Sequence, residues 1–76
     1  MKFIKLTQVN LRDGVFKEFP CFICKDKITG ITKEFLSDRD NNEEEFTAVI
    51  TDREVYFIVK EPVAEVLRLI KEEENL

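Results

Sequence analysis

The stretch VYFIVKEPVAEVLRLI, Val55 to Ile70, changes its hydrophobic period half-way along. Val55–Lys60 is β-branched and aromatic, with apolar side chains at successive positions. Such a run suits a strand covered on both faces, and so one at the centre of a sheet. Pro62 breaks the extended run, and its missing N–H is harmless in the first turn of a helix. Val63, Val66, Leu67 and Ile70 then fall at i, i+3, i+4 and i+7. That spacing predicts an amphipathic helix over 62–72 with this stripe against the sheet. Glu65 lies in its first turn, where the helix dipole favours an acid.

Working outward, Phe46–Thr51 alternates, with Phe46, Ala48 and Ile50 on one face, and Thr51–Glu54 turns the chain. Lys2–Val9 reads as a strand with Ile4 and Leu6 sharing a face. Asn10–Gly14 is a turn, and Asp13-Gly14 between two apolar runs signals a hairpin. Val15–Cys24 is the second strand; Pro20 cannot donate to a ladder, which places that strand at an edge or breaks it with a bulge. Ile28–Leu36 is the third, with Gly30 marking a weak point or a bulge. A helical turn within 24–30 is the alternative there. Ser37–Glu45 (SDRDNNEEE) has no apolar residue and predicts a flexible acidic loop over 37–45. The fold class is therefore α+β and mostly β. About five short antiparallel strands form a strongly bent sheet or small partial barrel, closed by one C-terminal helix.

A chain of 76 residues is a single domain, 1–76, with one core. A domain of that size buries only about 60% of the surface of its unfolded chain, so the shortfall is met by a metal, disulfides or a partner. Seven Phe against two Gly make aromatic rings the main source of buried area. The net charge of −4 divides unevenly: residues 1–36 carry +3 and residues 37–76 carry −7. An acidic chain repels phosphate, which argues against nucleic acid as a partner. Met1–Lys5 has charges inside its apolar stretch, unlike a secretory leader, and no apolar run approaches the length of a membrane span. The expected location is the cytoplasm.

Candidate chemistry is sparse. The chain has no His, which removes the commonest general base and all imidazole metal ligation. Cys21-Phe22-Ile23-Cys24 is a CxxC, a spacing used in redox pairs and zinc sites. On an extended strand, however, residues i and i+3 point to opposite faces, so these thiols do not meet. Two buried thiols acting as small hydrophobes are expected instead. The oxygen-rich run at 37–45 lacks the Gly and helix-loop-helix setting of a calcium loop. No phosphate cradle is present, and no pair of carboxylates is placed in an apolar cleft. These residues assign no catalytic, cofactor-binding or metal position. Phe16, Phe19 and Phe22 are the candidate interaction surface, with Phe16 and Phe22 facing one way and Phe19 the other.

The opening FIKLT (Phe3–Thr7) and the ending TAVITDREVYFIVKEPVAEVLRLI (Thr47–Ile70) resemble the short proteins of the flagellar and swarming-motility family and related small bacterial and prophage proteins. The shared positions are the apolar opening strand, Val59-Lys60-Glu61, and the helix stripe Val63, Val66, Leu67 and Ile70. Asp52-Arg53 stands where that family often has Gly, and Pro62 stands where it often has a capping Ser. The resemblance implies this architecture and a bacterial, cytoplasmic, non-enzymatic protein, and carries no catalytic residue across. A non-enzymatic protein-interaction or assembly module, with a protein partner or self-association, is the expected function. The alternative is a nucleic-acid-binding module on a barrel-like sheet, motivated by Lys2, Lys5, Lys17, Lys25, Lys27 and Lys33.

Overall fold

Within the Val55–Lys60 run, Tyr56–Val59 forms the central strand, but it is not covered on both faces, since Tyr56 is exposed. The structure, a computed structural model, describes residues 2–74. Five strands, β1 (Phe3–Arg12), β2 (Val15–Cys24), β3 (Ile28–Ser37), β4 (Glu43–Thr51) and β5 (Tyr56–Val59), make one antiparallel sheet in the order β2-β1-β5-β4-β3. A single 3-10 turn, Lys25–Lys27, joins β2 to β3, and helix α1 (Val63–Glu74) follows β5. The sheet is open, since β2 and β3 are both edges.

Local chemistry places the turns. Asp13 and Gly14 both have positive φ (53° and 76°), the two-residue hairpin turn that Asp-Gly favours. The register shifts between Ile28 and Gly30, a bulge at the expected glycine. Pro20 lies on edge strand β2, opposite Thr7. The Thr7 carbonyl accepts from Lys60 N–H and the Thr7 N–H donates to Glu61, so both backbone groups point toward β5. Pro20 therefore turns its own nitrogen to the open edge, where an absent N–H breaks no ladder bond.

How far the sheet bends follows from its register. One row of partners runs Phe19, Gln8, Val59, Thr47, Lys33 across all five strands. Cys24 lies five residues beyond that row on β2, and Ile28 five residues beyond it on β3 in the opposite direction. In a flat sheet they would be about 38 Å apart, at about 3.3 Å per residue and about 4.8 Å per strand. The Lys25–Lys27 link spans at most about 14 Å. The other diagonal closes as well: Arg39 N–H, in the β3–β4 turn, donates to the Gly14 carbonyl at 3.1 Å. The sheet is thus a steep saddle, with each diagonal pair of corners drawn together on one face.

Each closure shelters apolar residues. On one face, Ile4, Leu6, Ile23, Val49 and Val59 pack with Val66 of α1, and Cys21, Ile31, Phe57, Leu69 and Ile70 border them. A fully buried Leu or Val in such a cluster contributes about 1.5–3 kcal/mol. On the opposite face, Val9, Phe46 and Ala48 are buried. Phe16 meets Phe46 edge to face there, with ring centroids 5.0 Å apart.

Three expectations change. The turn expected over Asn10–Gly14 shrinks to Asp13-Gly14, because Asn10, Leu11 and Arg12 pair with Lys17, Phe16 and Val15 and so extend β1. In the helix, Val66 and Ile70 face the core as predicted, but Leu69 borders the cluster while Leu67 stays largely exposed. The side of α1 met by the saddle is rotated from the simple stripe. The acidic loop over 37–45 is shorter than its composition suggests, because Ser37 belongs to β3 and Glu43–Glu45 to β4. Those acids need no burial to join a ladder; they pair with Ser37, Leu36 and Phe35 across the strands. Between them, the Asp38 carboxylate accepts N–H bonds from Asp40 and Asn42, both at 2.9 Å. The Asn42 N–H above all holds Asp38 below the usual carboxylate range.

Candidate interaction surface

The three aromatic residues of β2 separate. The register keeps Phe16 and Phe22 on one face and Phe19 on the other. Phe16 is half-buried against Phe46 and serves the fold. Phe19, on the helix side, is exposed beside Gln8, its cross-strand partner. Phe22 is 65% exposed, the most open of the three.

Phe22 sits at a corner where several apolar groups converge. Phe3, also exposed, is its diagonal neighbour on the same face, since Phe3 pairs with Cys24 and Lys5 with Phe22. A shallow cleft of about 230 Å³ runs from Phe22, Ile23 and Cys24 to Val55 and Phe57. Lys27, Asp52 and Arg53 also border it, and the Lys27–Asp52 ion pair (3.5 Å) ties the 3-10 turn to the β4–β5 turn. Asp52 N–H also donates to the Lys27 carbonyl at 2.8 Å, so the cleft walls are held by backbone. Val55 carried no surface signal in the sequence, because its place beside Phe22 in the cleft depends on the saddle.

The CxxC spacing is resolved by the same alternation. Cys21 faces the helix-side core, Cys24 is on the opposite face of β2 where it lines the cleft at the sheet corner, and both are free thiols. Both are half-buried rather than buried outright. Burial pushes the Cys21 thiol above its ordinary pKa, and the Glu61 carboxylate adds to the rise. A raised pKa means less thiolate at any given pH, hence slower alkylation. Peptide-mapped labelling of the native protein with iodoacetamide at pH 8 should mark Cys24 on the order of tenfold faster than Cys21, the gap narrowing as pH rises. Equal rates at pH 8 would contradict this placement.

Glu61, which sequence reasoning treated only as part of a recurring Val-Lys-Glu, proves central to the sheet. Its carboxylate accepts from Thr7 N–H (2.9 Å) and Thr7 Oγ1 (3.0 Å), and its carbonyl accepts from the buried Thr47 Oγ1 (2.6 Å). It bridges β1 and β4 at the point where β5 ends.

On the helix, Arg68 pairs with Glu65 (2.7 Å) and with Glu72. Among the described residues, no group of three or more Cys, Asp or Glu is placed to hold a metal ion, and no helix is long and apolar enough to cross a membrane. Comparison with protein-family models, with curated proteins and with solved structures finds no match to this chain.

Proposed function

We propose that the chain is a non-enzymatic protein-interaction module whose contact surface is the corner around Phe22. The observation that supports this is a 65% exposed Phe on a hydrogen-bonded ladder, beside a cleft that can receive a partner's apolar side chain. An aromatic ring fixed by backbone loses little entropy when it is covered, which is why such rings anchor interfaces. Phe3 and Val55 extend the apolar area, and Lys27 and Asp52 supply a polar rim. The proposal puts the protein in the cytoplasm, where unbridged thiols stay reduced.

Phe22→Ser tests it with little effect on the fold, because the ring is mostly in solvent. Sedimentation velocity across a concentration series, together with affinity capture, should show the wild type associating with itself or with a partner. The Phe22→Ser protein should do so at least about tenfold more weakly, the loss expected at an anchor residue. A wild type that stays monomeric, and captures nothing the variant fails to capture, would refute the assignment.

A further inference from the structure

We propose that the open edge of β3, together with the groove between it and α1, takes an extended acidic peptide by strand addition. This rests on the reading of the chain as an interaction module, but on a surface separate from the Phe22 corner.

The hydrogen-bond phase of the sheet identifies the exposed donors. Asp52 N–H points to β3 and Thr51 N–H points to β5, donating to the Lys27 and Val55 carbonyls respectively. Even-numbered residues of β4 therefore bond to β3, and odd-numbered ones to β5. Ile31, Lys33 and Phe35 are opposite Val49, Thr47 and Glu45, so their N–H and C=O groups point outward from the sheet. The β2 edge is guarded differently. Its outward row contains Pro20, with no N–H, and Glu18, already paired with Lys60 at 3.3 Å. The β3 edge has neither device over these three residues.

Next to that edge lies a groove of about 330 Å³ between strand and helix, lined by Ile28, Gly30, Ile31, Leu67 and Ile70. This gives a purpose to the exposed Leu67. A strand added to β3 would place alternate side chains over the helix side, and one of them would enter this groove. Main-chain bonds to Ile31, Lys33 and Phe35 would give affinity, and the groove would give selectivity.

Charge defines the partner further. Lys25 lies at one end of the groove with its Nζ 3.4 Å from the Ile70 carbonyl. Lys33 is on the edge itself, and Lys71 lies one helical turn beyond Leu67. No ion pair engages these three cations among the described residues. Of the nearby acids, Glu65 and Glu72 are occupied by Arg68, Glu34 shares the Phe46 face of the sheet, away from α1, and Glu45 lies opposite Phe35, at the end of the edge away from the groove. The groove thus favours glutamate or aspartate flanking an apolar, strand-forming segment.

A blocked nonapeptide, five alternating Val and Thr residues with two Glu at each end, is a suitable probe. Its counterpart carries Lys for Glu. Amide exchange on the full chain should slow at Ile31, Lys33 and Phe35 when the acidic peptide saturates, and the basic peptide should bind at least tenfold more weakly. Leu67→Asp should weaken binding at least tenfold, because it removes apolar lining and sets a carboxylate against the acidic peptide. Lys33→Pro, which removes an outward N–H as Pro20 does in β2, should weaken it more than Lys33→Gln. Phe22→Ser should bind the peptide as the wild type does, which separates the two surfaces. Three results would each overturn the proposal. They are unchanged exchange at the three amides, equal affinity for the basic peptide, and concentration-dependent protection without peptide, which would make a second copy the occupant.

Discussion

Glu61→Ala should destabilise the fold by about 2 kcal/mol, read as a fall in the urea midpoint at unchanged slope and a drop in Tm of about 10 °C. The reason lies in the backbone. Strand β5 is only four residues long, and it ends at Val59. Beyond it the chain must leave the sheet, because Pro62 has no N–H and its carbonyl already serves the first helical amides of Glu65 and Val66. Thr7 nevertheless presents its N–H toward the vacated side. The Glu61 carboxylate takes that N–H and the Thr7 hydroxyl together. Truncation leaves both without the acceptor, and a half-buried amide that loses a charged partner costs about 1–3 kcal/mol.

Glu61→Gln separates this from a charge effect. An amide oxygen can still accept from Thr7 N–H, and the amide NH₂ can donate to the hydroxyl oxygen. The Gln variant should therefore retain most of the stability, within about 1 kcal/mol of wild type. If Ala and Gln lose equal amounts, hydrogen-bond geometry is not what the carboxylate contributes. If Ala loses under about 0.5 kcal/mol, water satisfies Thr7 as well as Glu61 does. For a 76-residue domain, with a total stability of about 4–11 kcal/mol, the expected loss is a large fraction.

What made Glu61 invisible in the sequence also explains the other gaps between sequence and structure. The central strand, the Asp13-Gly14 turn, the Gly30 bulge, the edge position of Pro20 and the helix after Pro62 all follow from local chemistry, and local patterns carry them. Glu61 acts on a residue 54 positions away, through a pairing of β1 with β5 that no local period records. The saddle is equally non-local. It decides that Phe16 is spent on Phe46, that Leu69 rather than Leu67 meets the core, and that Val55 joins Phe22 at one cleft. Of the aromatic trio, alternation correctly gave the faces. Which ring stays free depended on closure of the opposite diagonal.

That closure can be tested at Gly14, where substitution by Ala should cost about 2–4 kcal/mol. Two effects combine. The φ of 76° lies in the left-handed region, where a non-glycine residue costs about 1–2 kcal/mol. In addition, a Cβ at this site would overlap the Arg39 Cβ and come 2.9 Å and 3.0 Å from its Cγ and Cδ. The nearest of these is the rigid base of the Arg39 side chain, so it cannot swing away. The two hairpin tips would have to part, which strains the Arg39 N–H bond to the Gly14 carbonyl and loosens Phe16 from Phe46. Gly14→Asn distinguishes the causes, because Asn tolerates positive φ yet carries the same Cβ. If tip contact dominates, Asn should be nearly as damaging as Ala, and contacts between the Phe16 and Phe46 rings should weaken in both variants by nuclear Overhauser measurements. If Asn is close to wild type, the glycine serves the turn alone, and the second diagonal is held by the aromatic pair without help from the tips.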